Sequence, residues 1–248
     1  MPRSFVVVSA IILISCAAWA QTAPAPAFEV AAIKPSVPGQ RGSGTHTSKG
    51  EVLMNNVSLK QCVEMAYDVR DFSFSGPDWL DTVHFDITAK PPAVWSYKDQ
   101  FGPMLQNLLA ERFRLVVHRE SKVMPAYALV QAKGGIKLKP VQNPDGGSSS
   151  NSNNGKYTAT LVSMQRFADF LARQLNSPVV DKTDVPGSFS FTLEFSRDEV
   201  QPSNDRPPDN AAPSIYTALS GLGLRLVPQK LPVEVVVVDH MERVPTEN

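Results

Sequence analysis

Residues 58–90, SLKQCVEMAYDVRDFSFSGPDWLDTVHFDITAK, read as an amphipathic helix, a short strand, a Gly-Pro turn and a second strand. A looser version of the same order returns about a hundred residues later, in residues 163–195, SMQRFADFLARQLNSPVVDKTDVPGSFSFTLEF. A doubled order restricts the fold to one that can hold the same helix-and-strand unit twice. With its neighbouring segments, each copy extends to β-α-β-β-α-β plus an extra strand, the order of the split β-α-β folds. Each helix carries one apolar stripe and each longer strand one apolar face. Helices packed on one side of a mostly antiparallel sheet satisfy both. The expected class is therefore α+β, with two similar β-α-β-β-α-β-type halves, residues 28–142 and 156–248, and helices packed on mostly antiparallel sheets.

Local signals place the elements. Ser58 and Ser163 stand where an N-cap belongs, because a serine oxygen can accept from the free amides of a first helical turn. Leu59, Cys62, Val63 and Ala66 recur at the spacing of one helical face, as do Met164, Phe167, Leu171 and Leu175. Further helices are expected over 99–112, with Met104, Leu105, Leu108 and Leu109 inward, and over 214–222. Short strands are expected at 51–55, 72–74, 83–89, 156–161, 178–180 and 188–195, with turns at Gly76-Pro77 and Pro186-Gly187. Residues 113–120 and 126–132 read as the two strands of a hairpin, and 224–227 with 233–239 as a closing pair. Residues 233–238, VEVVVV, are too apolar for a half-solvated strand, so they belong in a central or doubly covered position. Residues 28–34 are expected to pair near them. Residues 143–155, NPDGGSSSNSNNG, hold nothing that can bury surface and read as a flexible linker or long exposed loop. Residues 196–213 read as a proline-rich, charged loop.

The first twenty residues read as a signal peptide: Arg3, an apolar run over 5–15, then Ala18-Trp19-Ala20, which favours cleavage before Gln21. Leu13-Ile14-Ser15-Cys16 also fits a loose lipobox, which would make Cys16 a lipidated terminus instead. Both routes place the chain outside the cytoplasm, in the periplasm or beyond. The run is shorter than the ~20 apolar residues a membrane span needs, and no transmembrane span is expected in the mature chain. Residues 21–27 then form a Pro/Ala tether.

Charge excludes some partners. Lys plus Arg number 24 and Asp plus Glu 24, so no imbalance points to nucleic acid or an anionic membrane. Once Cys16 is removed with the leader, only Cys62 is left, on the apolar stripe of its helix, where an inert buried thiol is expected.

Catalytic patterns are few. The glycine- and hydroxyl-rich loop 39–50, GQRGSGTHTSKG, lacks the Gly-Lys-Ser/Thr ending of a phosphate loop, though Arg41 and His46 make it a candidate ligand surface. His84 with Asp86, and His118 with Glu120, lie two apart on strands and project as pairs from one face. Zinc needs three or four such ligands, and neither HExxH nor CxxC accompanies them, so no metal and no cofactor is expected. Leu219-Ser220-Gly221 lacks the leading glycine of a nucleophile elbow. Asp78 and Asp81 flank Trp79 in PDWLD; acids beside an aromatic suit glycoside hydrolysis, while a turn with Trp79 and Leu80 plugging the core is the structural alternative. Trp95 and Tyr97 could form a sugar- or peptide-binding rim.

Several blocks together carry a resemblance. They are FEVAAIKPS (28–36), FSGPDWLDTVHFDITAK (74–90), MLQNLLAERFRLVVHRE (104–120), AYALVQAKGGIKLKP (126–140) and QKLPVEVVVVDHMERVPTEN (229–248). In this order they resemble the exported proteins of soil acidobacteria that carry the domain of unknown function DUF3738. That family has no established activity, so the resemblance implies no catalytic residue. Its domain also occurs attached to membrane-embedded sensor metallopeptidases, which implies an interaction or sensing role outside the cytoplasm. At the level of fold, the half-repeats are also similar to the small β-α-β modules of secretins and TonB-dependent receptors.

The expected function is a non-catalytic exported protein that binds an envelope protein or a small ligand. Its candidate surfaces are the 39–50 loop with Arg41 and His46 and the 76–81 turn with Asp78, Trp79 and Asp81. The alternatives are an extracytoplasmic hydrolase using dispersed carboxylates or histidines, and a sensor partner of a membrane protein.

Overall fold

The computed structural model describes residues 25–141, 146–196 and 213–246. The signal peptide, Cys16, the start of the tether and most of the 196–213 loop lie outside the described residues. The first elements are β1 (Val30–Pro35), β2 (Gly44–Ser48), β3 (Glu51–Ser58), α1 (Leu59–Tyr67), β4 (Phe74–Ser75), β5 (His84–Lys90), α2 (Tyr97–Phe113) and β6 (Val116–Gln131). They are followed by β7 (Ser149–Asn153), β8 (Lys156–Val162), α3 (Met164–Leu175), β9 (Val179–Asp181), β10 (Phe189–Glu194), α4 (Ile215–Gly221) and β11 (Leu224–His240). Single turns of 3-10 helix occupy Asp71–Ser73 and Asp78–Asp81. The class is α+β, as expected.

Three sheets carry the fold among the described residues, in the orders β1-β5-β3-β2, β10-β8-β7 and β4-β11-β6-β9. Every pairing is antiparallel except β4 with β11 and β9 with β6. Helices α1 and α2 supply Leu59, Cys62, Val63, Leu105 and Leu109 to a core shared with Val52, Met54, Phe85 and Ile87 of the first sheet. Helices α3 and α4 do the same for the second sheet, with Phe167, Leu171 and Leu219 against Tyr157, Phe189 and Leu193. Tyr157 and Phe170 stack there at 3.8 Å between ring centroids.

The caps form where the serines predict them. Ser58 accepts from the Gln61 amide while the Gln61 side chain accepts from the Ser58 amide, a complete capping box. Ser163 accepts from the Arg166 amide. Asp68 and Asn176 close the two helices in the left-handed conformation. Both residue types tolerate it better than most, because a short polar side chain can bond locally. Gly102 of α2 lies against the Ala66 carbonyl, where a Cβ would sit 3.0 Å from the oxygen. That close approach brings the two helices together, and Gln106 Nε2 donates to the same carbonyl at 2.7 Å.

Four expectations are corrected. The two hairpin readings are replaced by single strands, β6 of 16 residues and β11 of 17, paired from Leu224↔Gln131 to His240↔Val116. Nothing in SKVMPAY supplies the left-handed residues a tight turn needs. The prolines within these two strands sit where they cost no ladder bond. Tyr127 N donates to the Pro178 carbonyl, away from β11, so odd-numbered residues of β6 in this stretch turn their nitrogens outward. Their even-numbered partners on β11 do likewise in an antiparallel ladder. Pro125, Pro228 and Pro232 all occupy such outward positions. Second, β1 pairs with β5 rather than beside β11. Third, part of the supposed linker is a strand, because Asn154-Gly155 turns β7 back onto β8. Fourth, residues 72–74 are mostly a 3-10 turn, leaving β4 only Phe74–Ser75.

The central placement of VEVVVV holds: β11 lies inside its sheet with Val235, Val236 and Val238 buried. Its short neighbour β4 comes from the first stretch, and β9 of the second stretch flanks β6 of the first. Residues 28–142 and 156–248 therefore share one sheet.

Candidate functional site

The β2–β3 hairpin and α1 build a cleft together. Lys49 and Gly50 both have positive φ, 51° and 80°, the signature of a two-residue type I′ turn. Such a turn makes Ser48 and Glu51 the closing hydrogen-bonded pair, and the pattern then alternates down the ladder. Gly44, His46 and Ser48 turn their amides to β3, while Thr45 and Thr47 turn theirs off the edge of the sheet. Side chains alternate as well. Thr45 and Thr47 stand opposite the buried Met54 and Val52 on the helix side, and His46 stands opposite Leu53 on the other face.

The cleft, about 340 Å³, lies between Ser43, Gly44 and Thr45 on one side and Gln61, Glu64, Met65 and Asp68 of α1 on the other. Val57, Val69 and Arg70 complete its lining. Gln61 Nε2 donates to Ser43 Oγ at 3.3 Å and Thr45 Oγ1 to Met65 Sδ at 3.5 Å, tying strand to helix. The 39–50 loop is held too, because Asn56 Nδ2 donates to the carbonyls of Gln40 and Gly42 at 3.1 and 2.9 Å.

Glu64 is the electrostatically unusual group of the cleft. It is half-buried, and burial raises its carboxyl above the usual range, with Lys60 offsetting part of the rise. Lys60 is itself ion-paired with Asp71, whose hydrogen bond raises the ammonium's proton affinity. Beneath them Cys62 is fully buried and its thiol is pushed up to about 12.

A second depression, about 490 Å³, joins the Lys60–Asp71 pair to the 74–78 turn and Asp81. It brings Asp78 and Asp81 together. Trp79 packs partly against the core with the Arg243 guanidinium 4.9 Å from its ring, outside that depression. Arg41 and His46 are exposed and line neither cleft. Of the five residues the sequence singles out, two therefore share a hollow and three do not.

The cleft residues that the sequence does not single out still have a readable signal. Gln61, Glu64, Met65 and Asp68 repeat the i, i+3, i+4, i+7 spacing of the core stripe, shifted by two positions. A third hollow, about 410 Å³, runs from Tyr67–Arg70 past α3 to β6 and β11, where Arg119 pairs with Glu234.

The histidines do not assemble. β5 and β6 belong to different sheets, so the two pairs do not lie on adjacent strands. His84 Nδ1 lies 3.2 Å from the Thr82 carbonyl, and His118 Nδ1 lies 2.8 Å from Asp239. Among the described residues no three His, Cys, Asp or Glu side chains converge on a point that could hold a metal ion. Trp95 packs against the first core, and Tyr97 stacks on Phe101 at 4.6 Å.

The sequence profile of one family, the protein of unknown function DUF3738, matches residues 60–241. The chain belongs to the DUF3738 family. The DUF3738 match begins inside α1 and ends just past β11, so it contains the helix wall of the cleft, while β1, β2, β3 and with them the cleft's strand wall precede it. Neither a curated protein nor a solved structure matches this DUF3738 chain. Among its described residues no helix is long and apolar enough to cross a membrane.

Proposed function

We propose that this DUF3738 chain is an exported, non-catalytic binding protein that takes an extended polypeptide segment of an envelope protein along the free edge of β2. The observation that carries the reading is the cleft itself, which runs between an edge strand and a helix. Strand addition needs such a site: main-chain amides at the edge supply affinity, and a hollow for alternate side chains supplies selectivity.

Several other edges carry prolines. Pro228 and Pro232 occupy outward positions on β11, Pro125 on β6, and Pro35 ends β1. β7 carries no proline, but all five of its residues are exposed and no hollow lies beside it among those described above. β2 combines a proline-free edge with a cleft. Export is supported by the leader-like residues 1–20. The non-catalytic part is supported by the sealing of Cys62, whose thiol stays protonated at any physiological pH.

Thr47→Pro tests the reading, since it removes an outward amide and spares the β2–β3 ladder. The variant is expected to keep the wild-type circular dichroism and lose peptide binding. Unchanged binding would reject strand addition at β2. Export is tested by mass spectrometry of protein expressed with its leader in a bacterial host. A mature terminus at Gln21, or an acylated Cys16, supports it; an intact Met1 on cytoplasmic protein contradicts it.

A further inference from the structure

We infer that the β2–α1 cleft selects an extended segment by a lysine or arginine side chain that enters between Glu64 and Asp68; the inference rests on the strand-addition reading above. A strand laid along the edge of β2 would direct every second side chain toward α1, because side chains alternate across a sheet. What meets them there is a stripe, Gln61, Glu64, Met65 and Asp68, on the last two turns of the helix.

Charge fixes the kind of side chain. The C-terminal end of a helix carries a negative partial charge and favours cations. α1 has no basic residue in its last turn, and it presents Glu64 and Asp68 there instead. Arg70 is the one guanidinium lining the cleft, against those two carboxylates, so the balance stays negative. Glu64 also lacks a donor of its own among the described residues. Lys60, one turn earlier, is engaged by Asp71. Gln61 is committed to the capping box and to Ser43.

The walls suit the remainder of such a side chain. Val57, Met65 and Val69 offer apolar surface on which an alkyl stem can lie while its charged end reaches the carboxylates. A half-buried carboxylate gains more from a charge-assisted hydrogen bond than one in open water.

The experiment pans a phage-displayed library of random dodecapeptides against the wild-type chain, Thr47→Pro, and the double variant Glu64→Gln/Asp68→Asn. Wild type is expected to enrich period-two sequences with Lys or Arg fixed at one position, and Thr47→Pro to enrich none of them. The best lysine peptide is expected to lose about tenfold in affinity or more when its lysine becomes norleucine, and an equal factor on the double variant. Its binding weakens with added salt. Enriched peptides that need the Thr47 amide but carry neutral or acidic residues would overturn cation selection and leave strand addition standing. Enrichment that survives Thr47→Pro, or no enrichment at all, would overturn both.

Discussion

Cys62 shows how far a single position could be read. The spacing of Leu59, Cys62, Val63 and Ala66 places the thiol inside, and it is completely buried, with its acidity pushed up to about 12. Native protein should therefore resist iodoacetamide at pH 8 and react only when unfolded, as mass spectrometry would show. The thiol's folded value lies above its ordinary 9.0, so the stability it contributes is complete below pH 9 and is lost as pH rises toward 12. The slope approaches about 1.4 kcal/mol per pH unit, and urea titrations of wild type and Cys62→Ala should differ by it. Glu64 behaves similarly at acid pH. Burial raises its carboxyl, so its ionisation is resisted by the fold, and stability falls as pH rises through the carboxylate range. Glu64→Gln should melt higher than wild type at pH 7, with the difference shrinking as pH falls through the carboxylate range. Glu64 itself escaped the sequence reading because a carboxylate beside an apolar stripe looks like an ordinary solvated face. Its partial burial arises from the tertiary packing around α1, which the helical spacing alone does not show.

At the scale of elements, what local chemistry decides was legible. Serine caps and apolar stripes located α1 and α3, and Met104, Leu105, Leu108 and Leu109 located α2. The failures came where composition outweighed a short signal. The 143–155 segment is polar throughout, yet Asn154-Gly155 within it is a strong hairpin turn, and it returns β7 onto β8. Gly155 has φ +75°, and a Cβ there would lie 2.3 Å from the Phe195 carbonyl. Gly155→Ala should cost about 2–4 kcal/mol, measured by chemical denaturation. The prolines of β6 and β11 make a related point. A proline within a strand is harmless when its nitrogen points away from the partner, and that parity becomes visible only once the register is known.

At the scale of the whole molecule, the element order β-β-α-β-β-α-β from β2 to β6 is followed by the same order from β7 to β11. The two stretches are not separable, because each long strand pairs with the other and receives a short strand from across. A fragment ending at residue 142 would leave β6 without β11 and expose Ala126, Ala128 and Leu129. It should lack dispersed amide resonances by nuclear magnetic resonance, and recover them when the complementary fragment is added. Long-range pairing of this kind has no local signature, which is why the hairpin reading looked adequate from sequence. Among the described residues β2 has no strand on its outer side, and amide hydrogen exchange tests that edge most directly. In the free chain the Thr45 and Thr47 amides should exchange fast while those of Gly44, His46 and Ser48 are protected by β3. A saturating lysine peptide from the library should slow Thr45 and Thr47 by about a hundredfold or more. If the peptide binds and those two amides go on exchanging at their free rates, strand addition at β2 is wrong.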